Sequence, residues 1–237
     1  TDILQVFIDM TYKDGTKLSN DEVVGLLIAL LFAGQHTSTI TTKWTAMFLA
    51  HNSSCMSEVM KEQQKLMGDD ASAPLDFDKV GEMEYLQNCV KESLRMHPPL
   101  IMLMRMAMKD VKTTLNGKTY TIPKGDIVIT SPAVASRLDS VFKNPNEFEP
   151  ERFGAERNEQ KTPFAYLGFG GGMHQCMGQQ FGLLQVKTIV SVLLRNYKIE
   201  TLTSEFPEPD YTAMVVGPKN HCKVRLVKLP TSKIPNA

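Results

Sequence analysis

The chain contains no CxxC pair, no HExxH spacing, no internal repeat and no low-complexity tract. Its four cysteines, Cys55, Cys89, Cys176 and Cys222, are widely scattered. That spacing argues against a structural zinc site or Cys/His metal module and against a disulfide framework. The five histidines (His36, His51, His97, His174 and His221) form no paired metal-ligand motif. Charge bias is absent too, since 26 basic residues balance 26 acidic ones. A chain without excess positive charge is not expected to bind nucleic acid electrostatically. The longest apolar run, Val23 to Ala33, falls short of the about 20 residues that span a bilayer. No signal-peptide pattern opens the chain. It starts at Thr1 already inside an apolar pattern, and is expected to be part of something longer. Strands and helices do not alternate in βαβ fashion, which disfavours a doubly wound parallel sheet.

What is present is enough apolar matter for a large core: 42% of 237 residues are hydrophobic, in one or two domains. Thr1 to Met10 reads as the end of a helix. Ser19 with Glu22 is a capping box, and a helical pattern follows to about Ala50, roughly 45 Å long. Further helices are expected over Ser54–Met67 and Tyr85–Met96, the latter stopped by His97-Pro98-Pro99. Gly68 to Pro74 is a loop. Strands are expected at Met102–Met108, Val111–Leu115, Lys118–Ile122 and Asp126–Thr130, with Asn116-Gly117 as a hairpin turn. A Pro- and charge-rich meander covers 143–163, and a glycine-rich segment leads into a helix ending near 195. A small sheet is expected from Lys198–Leu202, Thr212–Val216 and Cys222–Leu229, before a frayed tail at 230–237. The fold class is mainly α with small antiparallel β-sheets.

The most informative segment runs Phe169-Gly170-Gly171-Gly172-Met173-His174-Gln175-Cys176-Met177-Gly178. A Cys at a helix start feels the positive end of the helix dipole, which favours the thiolate. Glycines let a large flat ligand approach the backbone closely. The plainer alternative is a buried free Cys packed in a core turn. Three other constellations stand out. Glu92 and Arg95 share a helix face at i and i+3, either as an ordinary exposed pair or as half of a network. Gly34 inside the long helix costs about 1 kcal/mol against Ala, so it marks a close approach, a kink or simple tolerance. Arg105 is the only charge in an apolar strand whose Met102, Met104, Met106 and Met108 alternate, as core packing or as a cavity wall. A buried cation there needs an anion; a solvated one does not.

The ten-residue segment around Cys176 resembles the haem-binding signature of cytochrome P-450 monooxygenases. Ala33-Gly34-Gln35-His36-Thr37-Ser38, Glu92-Ser93-Leu94-Arg95 and Pro150-Glu151-Arg152-Phe153 follow the same family's landmarks in the same order. The resemblance runs from about Thr1 to Leu229 and implies the C-terminal half of that single-domain fold over 1–237, with the N-terminal half absent. The general family pattern has an acid before the groove threonine; His36 stands there instead, which resembles the sterol 14α-demethylase branch. So does Tyr211 to Gly217.

The resemblance implies haem b with Cys176 as axial thiolate, and Phe169, Gly170 and Gly178 beside it. It implies that Arg105 and His174 face the haem propionates. His36 and Thr37 would feed protons to dioxygen. Glu92, Arg95 and Arg152 would lock the meander behind the Cys loop. Phe32, Ala33, Thr37, Leu100, Met102, Met104, Met214 and Val215 would line a sterol cavity. The implied reaction is oxidative loss of the sterol 14α-methyl group as formate, using O2 and electrons from NADPH through a flavoprotein reductase. The implied location is the cytosolic face of the endoplasmic reticulum, with membrane attachment through the missing N-terminal half. The alternatives are a monooxygenase of another lipid or xenobiotic, and an inactive haem-binding fragment; the isolated half is not expected to be active alone.

Overall fold

Asp2 opens the first element: its carboxylate accepts from the backbone N–H of Gln5 and caps helix α1, Ile3–Asp9. The computed structural model describes residues 2–68, 73–219 and 222–229. Helix α2, Asn20–His51, begins at the capping box expected at Ser19. Ser19 N–H and Oγ–H both donate to the Glu22 carboxylate at 2.7 Å, and the Glu22 N–H returns to Ser19 Oγ. Its 32 residues continue unbroken past Gly34. The kink considered for Gly34 is absent, and a Cβ there would meet nothing within 4 Å, so no described element approaches it closely. By length and composition α2 is apolar enough to cross a membrane. The uninterrupted run Val23–Ala33 understates this, because glycines and threonines interrupt a run but not a helix-long average. The C-terminal half of α2 nevertheless belongs to the core, with Thr41, Trp44, Thr45, Phe48 and Leu49 buried.

Helices α3 (Ser53–Met67), α4 (Phe77–Glu82) and α5 (Glu84–Met96) follow. Next come strands β1 (Leu103–Met106), β2 (Val111–Leu115), β3 (Lys118–Ile122) and β4 (Ile127–Thr130), and the short helix α6 (Pro132–Ala135). Helix α7 is Gln179–Asn196, and β5 (Tyr197–Thr201), β6 (Pro209–Asp210), β7 (Gly217–Pro218) and β8 (Val224–Lys228) complete the chain. Four antiparallel pairs form: β1 with β4, β2 with β3, β5 with β8 and β6 with β7. Asn116 and Gly117 both take positive φ between β2 and β3, as a two-residue hairpin turn requires. Leu49 of α2, Val59 of α3, Leu86, Cys89, Val90 and Leu94 of α5, and Val186 and Val190 of α7 form one continuous core.

Beside that core, fully buried Trp44 stacks on His97 with ring centres 3.9 Å apart and planes at 11°, and Phe48 and Phe206 join the stack. This aromatic cluster ties α2 to the end of α5.

Two strand expectations are corrected. Met102–Met108 shortens to Leu103–Met106. Thr212–Val216 is a turn rather than a strand. The Asp210 carboxylate accepts from both the N–H and the Oγ–H of Thr212, at 3.0 and 2.6 Å, and this side-chain turn ends the extended segment. Helices α4 and α6 were not expected from periodicity because each is two turns or shorter. The tail at 230–237, His221 and residues 69–72 of the loop lie outside the described residues.

Candidate functional site: an exposed thiol turn and a buried ion network

The glycine segment bends through two left-handed residues, Gly170 at φ +70° and Gly172 at φ +64°, positions that only glycine adopts without strain. The 3-10 turn Gly172–His174 follows, and the Cys176 N–H donates to Phe169 O at 2.9 Å, closing the loop on itself. Cys176 is exposed, so the buried core-Cys alternative is excluded. Cys55 and Cys89, by contrast, are buried, and burial pushes both thiols up. Cys176 stands two residues before Gly178, the N-cap of α7, which forms no side-chain cap bond. The helix start therefore offers unmet N–H groups near the sulfur. Around it Met173, Met177 and Phe181 are exposed apolar groups.

A buried ion network ties α5 to the segment 136–159. Glu92, Arg95 and Arg152 are all 0% exposed, which removes the reading of Glu92 and Arg95 as a surface pair. Glu92 accepts four hydrogen bonds: from Arg95 Nε and Nη2 at 2.7 and 2.9 Å, from Arg152 Nε at 2.8 Å and from the Glu149 N–H at 2.9 Å. Three of these bonds converge on Oε1 and one on Oε2, so both carboxylate oxygens are engaged. Arg95 spends its remaining donors on the carbonyls of Ser136, Pro145 and Glu147, so α5 holds the end of α6 and two points of the meander at once. Arg152 reaches Lys143 O and Glu159 Oε2 at 2.8 and 2.6 Å.

Sequence reasoning missed Glu149, Arg157 and Glu159. Arg157 binds both of these carboxylates at 2.6 Å, so three carboxylates face three guanidiniums and the cluster carries no net charge. Burial raises the carboxyls of Glu149 and Glu159, but the arginine bonds outweigh it and hold both below the usual range. The signal for these residues lay in the acid- and arginine-rich run 147–159, which reads equally well as a solvated loop.

On α2, Thr37 Oγ1 donates to Ala33 O at 2.8 Å. It starts a ladder in which Thr39, Thr41, Thr42 and Thr45 each donate to the carbonyl four residues back. His36 is exposed, its ring edge-on to Phe32 at 6.1 Å. The segment 211–217 comes to the same helix: Val216 N–H donates to Pro99 O at 2.9 Å, and Trp44 Nε1 donates to Val216 O at 3.4 Å. Leu100, Met214, Val215 and the groove of α2 are thereby brought to neighbouring elements.

Arg105 and the alternating methionines, for which the strand pattern left burial or exposure open, are both exposed among the described residues. Arg105 is not a buried strand cation; it is exposed and donates only to the adjacent Met104 O. Met102, Met104, Met106 and Met108 are 53–76% exposed, so none is packed in a core. The reason is common to both: β1 pairs with β4 alone, and its faces are uncovered among the described residues. His174 is exposed as well.

The site suits a flat, largely apolar group with a soft metal at its centre. One exposed sulfur stands beside exposed Met173, Met177 and Phe181, and a Cβ at Gly172 or Gly182 would meet nothing within 4 Å. The free donors of Arg105 and the exposed His174 would suit acidic substituents on such a group.

Comparison with known proteins agrees with this chemistry. The family model for cytochrome P-450 matches residues 1–225. The chain is 51% identical to a sterol 14-demethylase of Arabidopsis thaliana, over 94% of this chain and 46% of that protein. It is 50% identical to an obtusifoliol 14-alpha demethylase of Triticum aestivum, over 94% of this chain and 49% of that protein. It is 40% identical to the Homo sapiens lanosterol 14-alpha demethylase, over 92% and 42%. The chain spans about half the length of the curated relatives it matches. With the Cys176 turn, the buried Glu92–Arg95–Arg152 cluster and a family match over most of its length, the chain belongs to the cytochrome P-450 family.

Proposed function

We propose that this chain carries the haem-thiolate and oxygen-groove half of a sterol 14α-demethylase. The observation that carries the proposal is the exposed Cys176 thiol on its doubly left-handed glycine turn. The names of the relatives at 40–51% identity support the sterol as substrate class. Cys176 Sγ would hold the iron of a haem, with Phe169, Gly170 and Gly178 beside it and Arg105 and His174 available to its acidic substituents. When bound, thiolate-ligated haem supplies an iron centre that reduces dioxygen, with the thiolate pushing electron density toward O–O cleavage.

The chain's own residues position the reactants and deliver protons. Phe32, Ala33, Leu100, Met102, Met104, Met214 and Val215 contact the sterol, and their apolar side chains exclude water from its 14α-methyl group. Thr37 Oγ1 now donates to Ala33 O, which leaves its lone pairs free to accept from a water or from His36. His36 is exposed, and its ring nitrogens can both donate and accept, so it can refill that hydroxyl from solvent. Glu92, Arg95 and Arg152 do no chemistry; they hold the meander behind the Cys turn. Electrons come from NADPH through a flavoprotein reductase docked near the Cys face, at the cytosolic side of the endoplasmic reticulum.

The test is the carbon monoxide difference spectrum of the reduced full-length protein, with and without Cys176→Ser. A red-shifted thiolate Soret band that is lost in the variant is expected, together with a sterol-induced spectral change in the unsubstituted protein. A folded protein with no haem band would refute the proposal. His36→Ala should lower coupling of oxygen use to product, and normal coupling would remove His36 from the proton path.

A further inference from the structure

Ala33, Thr37, Ile40 and Trp44 succeed one another at steps of four, three and four residues, so they form one stripe along α2. The first two belong to the groove. The last two receive the segment 211–217. Gly217 is buried against Ile40: a Cβ built on Gly217 would stand 3.1 Å from Ile40 Cδ1 and 3.3 Å from Cγ1, tighter than ordinary packing allows. Its φ is not positive, so the need for glycine here is steric and not conformational. One residue earlier, both backbone groups of Val216 are used. Its N–H goes to Pro99 O at 2.9 Å and its carbonyl accepts from Trp44 Nε1 at 3.4 Å. Val216 is 3% exposed, whereas Met214 is 72% exposed. The turn is thus clamped at its base and open at its tip. Thr37 and Ile40 are three residues apart, about 4.5 Å along the helix axis.

We propose that Gly217 and Ile40 form a steric seat that sets the register of the Met214–Val215 turn against the α2 groove, and that Gly217 is a positioning residue for the sterol. The proposal deepens the functional reading above and rests on it for the identity of the ligand. The missing Cβ lets β7 close onto α2. Adding it displaces β7 by a few tenths of an ångström, because Ile40 is branched and half-buried. Met214 and Val215 then shift relative to Ala33 and Thr37, where small misplacements are costly to binding and rate.

The test is a double-mutant cycle in the full-length protein with Gly217→Ala, Ile40→Ala and the pair together. Two quantities are read: the dissociation constant of lanosterol or obtusifoliol by spectral titration, and the hydrogen-exchange rate of the Val216 amide. Gly217→Ala is expected to weaken sterol binding and to speed Val216 exchange, each by about tenfold, with the carbon monoxide spectrum unchanged. The double variant is expected to recover most of both, because Ile40→Ala removes the atoms that a new methyl would meet. Loss without recovery in the double variant would reduce Gly217 to a general packing position and overturn the seat. So would unchanged exchange in Gly217→Ala. If the unsubstituted protein gave no thiolate band or no sterol response, the functional reading would fall, and the exchange cycle would still decide the seat.

Discussion

Two ion pairs in this chain share sequence spacing and nearly the same distance, and differ in burial, in the cation and in how many further bonds the acid accepts. Glu92 and Arg95 are i,i+3 partners at 2.7 Å with both side chains 0% exposed. Glu58 and Lys61 are i,i+3 partners at 2.8 Å, more than half exposed on both sides. Glu92→Gln keeps the shape of the first acid and removes its charge. Of the four bonds that Glu92 accepts, an amide can keep those on its oxygen, while its NH2 group faces a guanidinium that only donates. Arg95 and Arg152 then lose their shared carboxylate in a site without water. Breaking such a buried pair costs about 3–5 kcal/mol. With a urea slope of about 2 kcal/mol per molar, the unfolding midpoint of the full-length protein should fall by about 1.5–2.5 M. Lys61→Ala should cost no more than about 0.5 kcal/mol. Similar losses in the two variants, or a Glu92→Gln cost under about 1 kcal/mol, would refute the claim that burial and saturation make this network essential.

Two more expectations follow from buried groups. Burial, then Arg137 and Arg95, push His97 down to about 4 from 6.5. The unfolded chain therefore binds this proton first: stability is full above about pH 6.5, falls by about 3 kcal/mol as pH drops to 4, and is flat below. Urea midpoints against pH should show that slope, and His97→Phe should abolish it; an unchanged slope in the variant would assign it to other groups. Glu62 of α3 accepts from the N–H groups of Tyr85 and Leu86 at 2.5 and 3.0 Å, capping α5, whose own N-cap Met83 makes no side-chain bond. Glu62→Ala should cost about 1–2 kcal/mol in chemical unfolding, the loss typical of a cap, and a change within error would show that water replaces it.

Much of the local structure was legible because its causes are local. Ser19 and Glu22 announce the start of α2 three residues apart. Pro98 and Pro99 stop α5 because proline cannot continue a helix. Asn116 and Gly117 tolerate the positive φ that a tight hairpin needs. The thiol turn was legible too, since its glycines and Cys176 lie within ten residues. The error at Thr212–Val216 has a definite cause. Its β-forming side chains favour a strand, but Asp210 captures Thr212, and Val216 bonds to Pro99 and Trp44 instead of a neighbouring strand. Periodicity carries no information about partners 117 or 172 residues away.

The sequence by itself determined where the long helices α2, α3, α5 and α7 lie, which cysteine stands in a glycine turn, and which acid and base share a face of α5. Only the tertiary structure decided that Glu149 and Glu159, with Arg157, complete a neutral cluster around the buried arginines, that Glu62 caps a helix not its own, and that Gly217 packs against Ile40. It also decided that Arg105 and the alternating methionines are exposed, which the strand pattern left open. The first set depends on backbone geometry within a few residues. The second depends on which surfaces meet when distant segments exclude water together, and a linear pattern does not encode that.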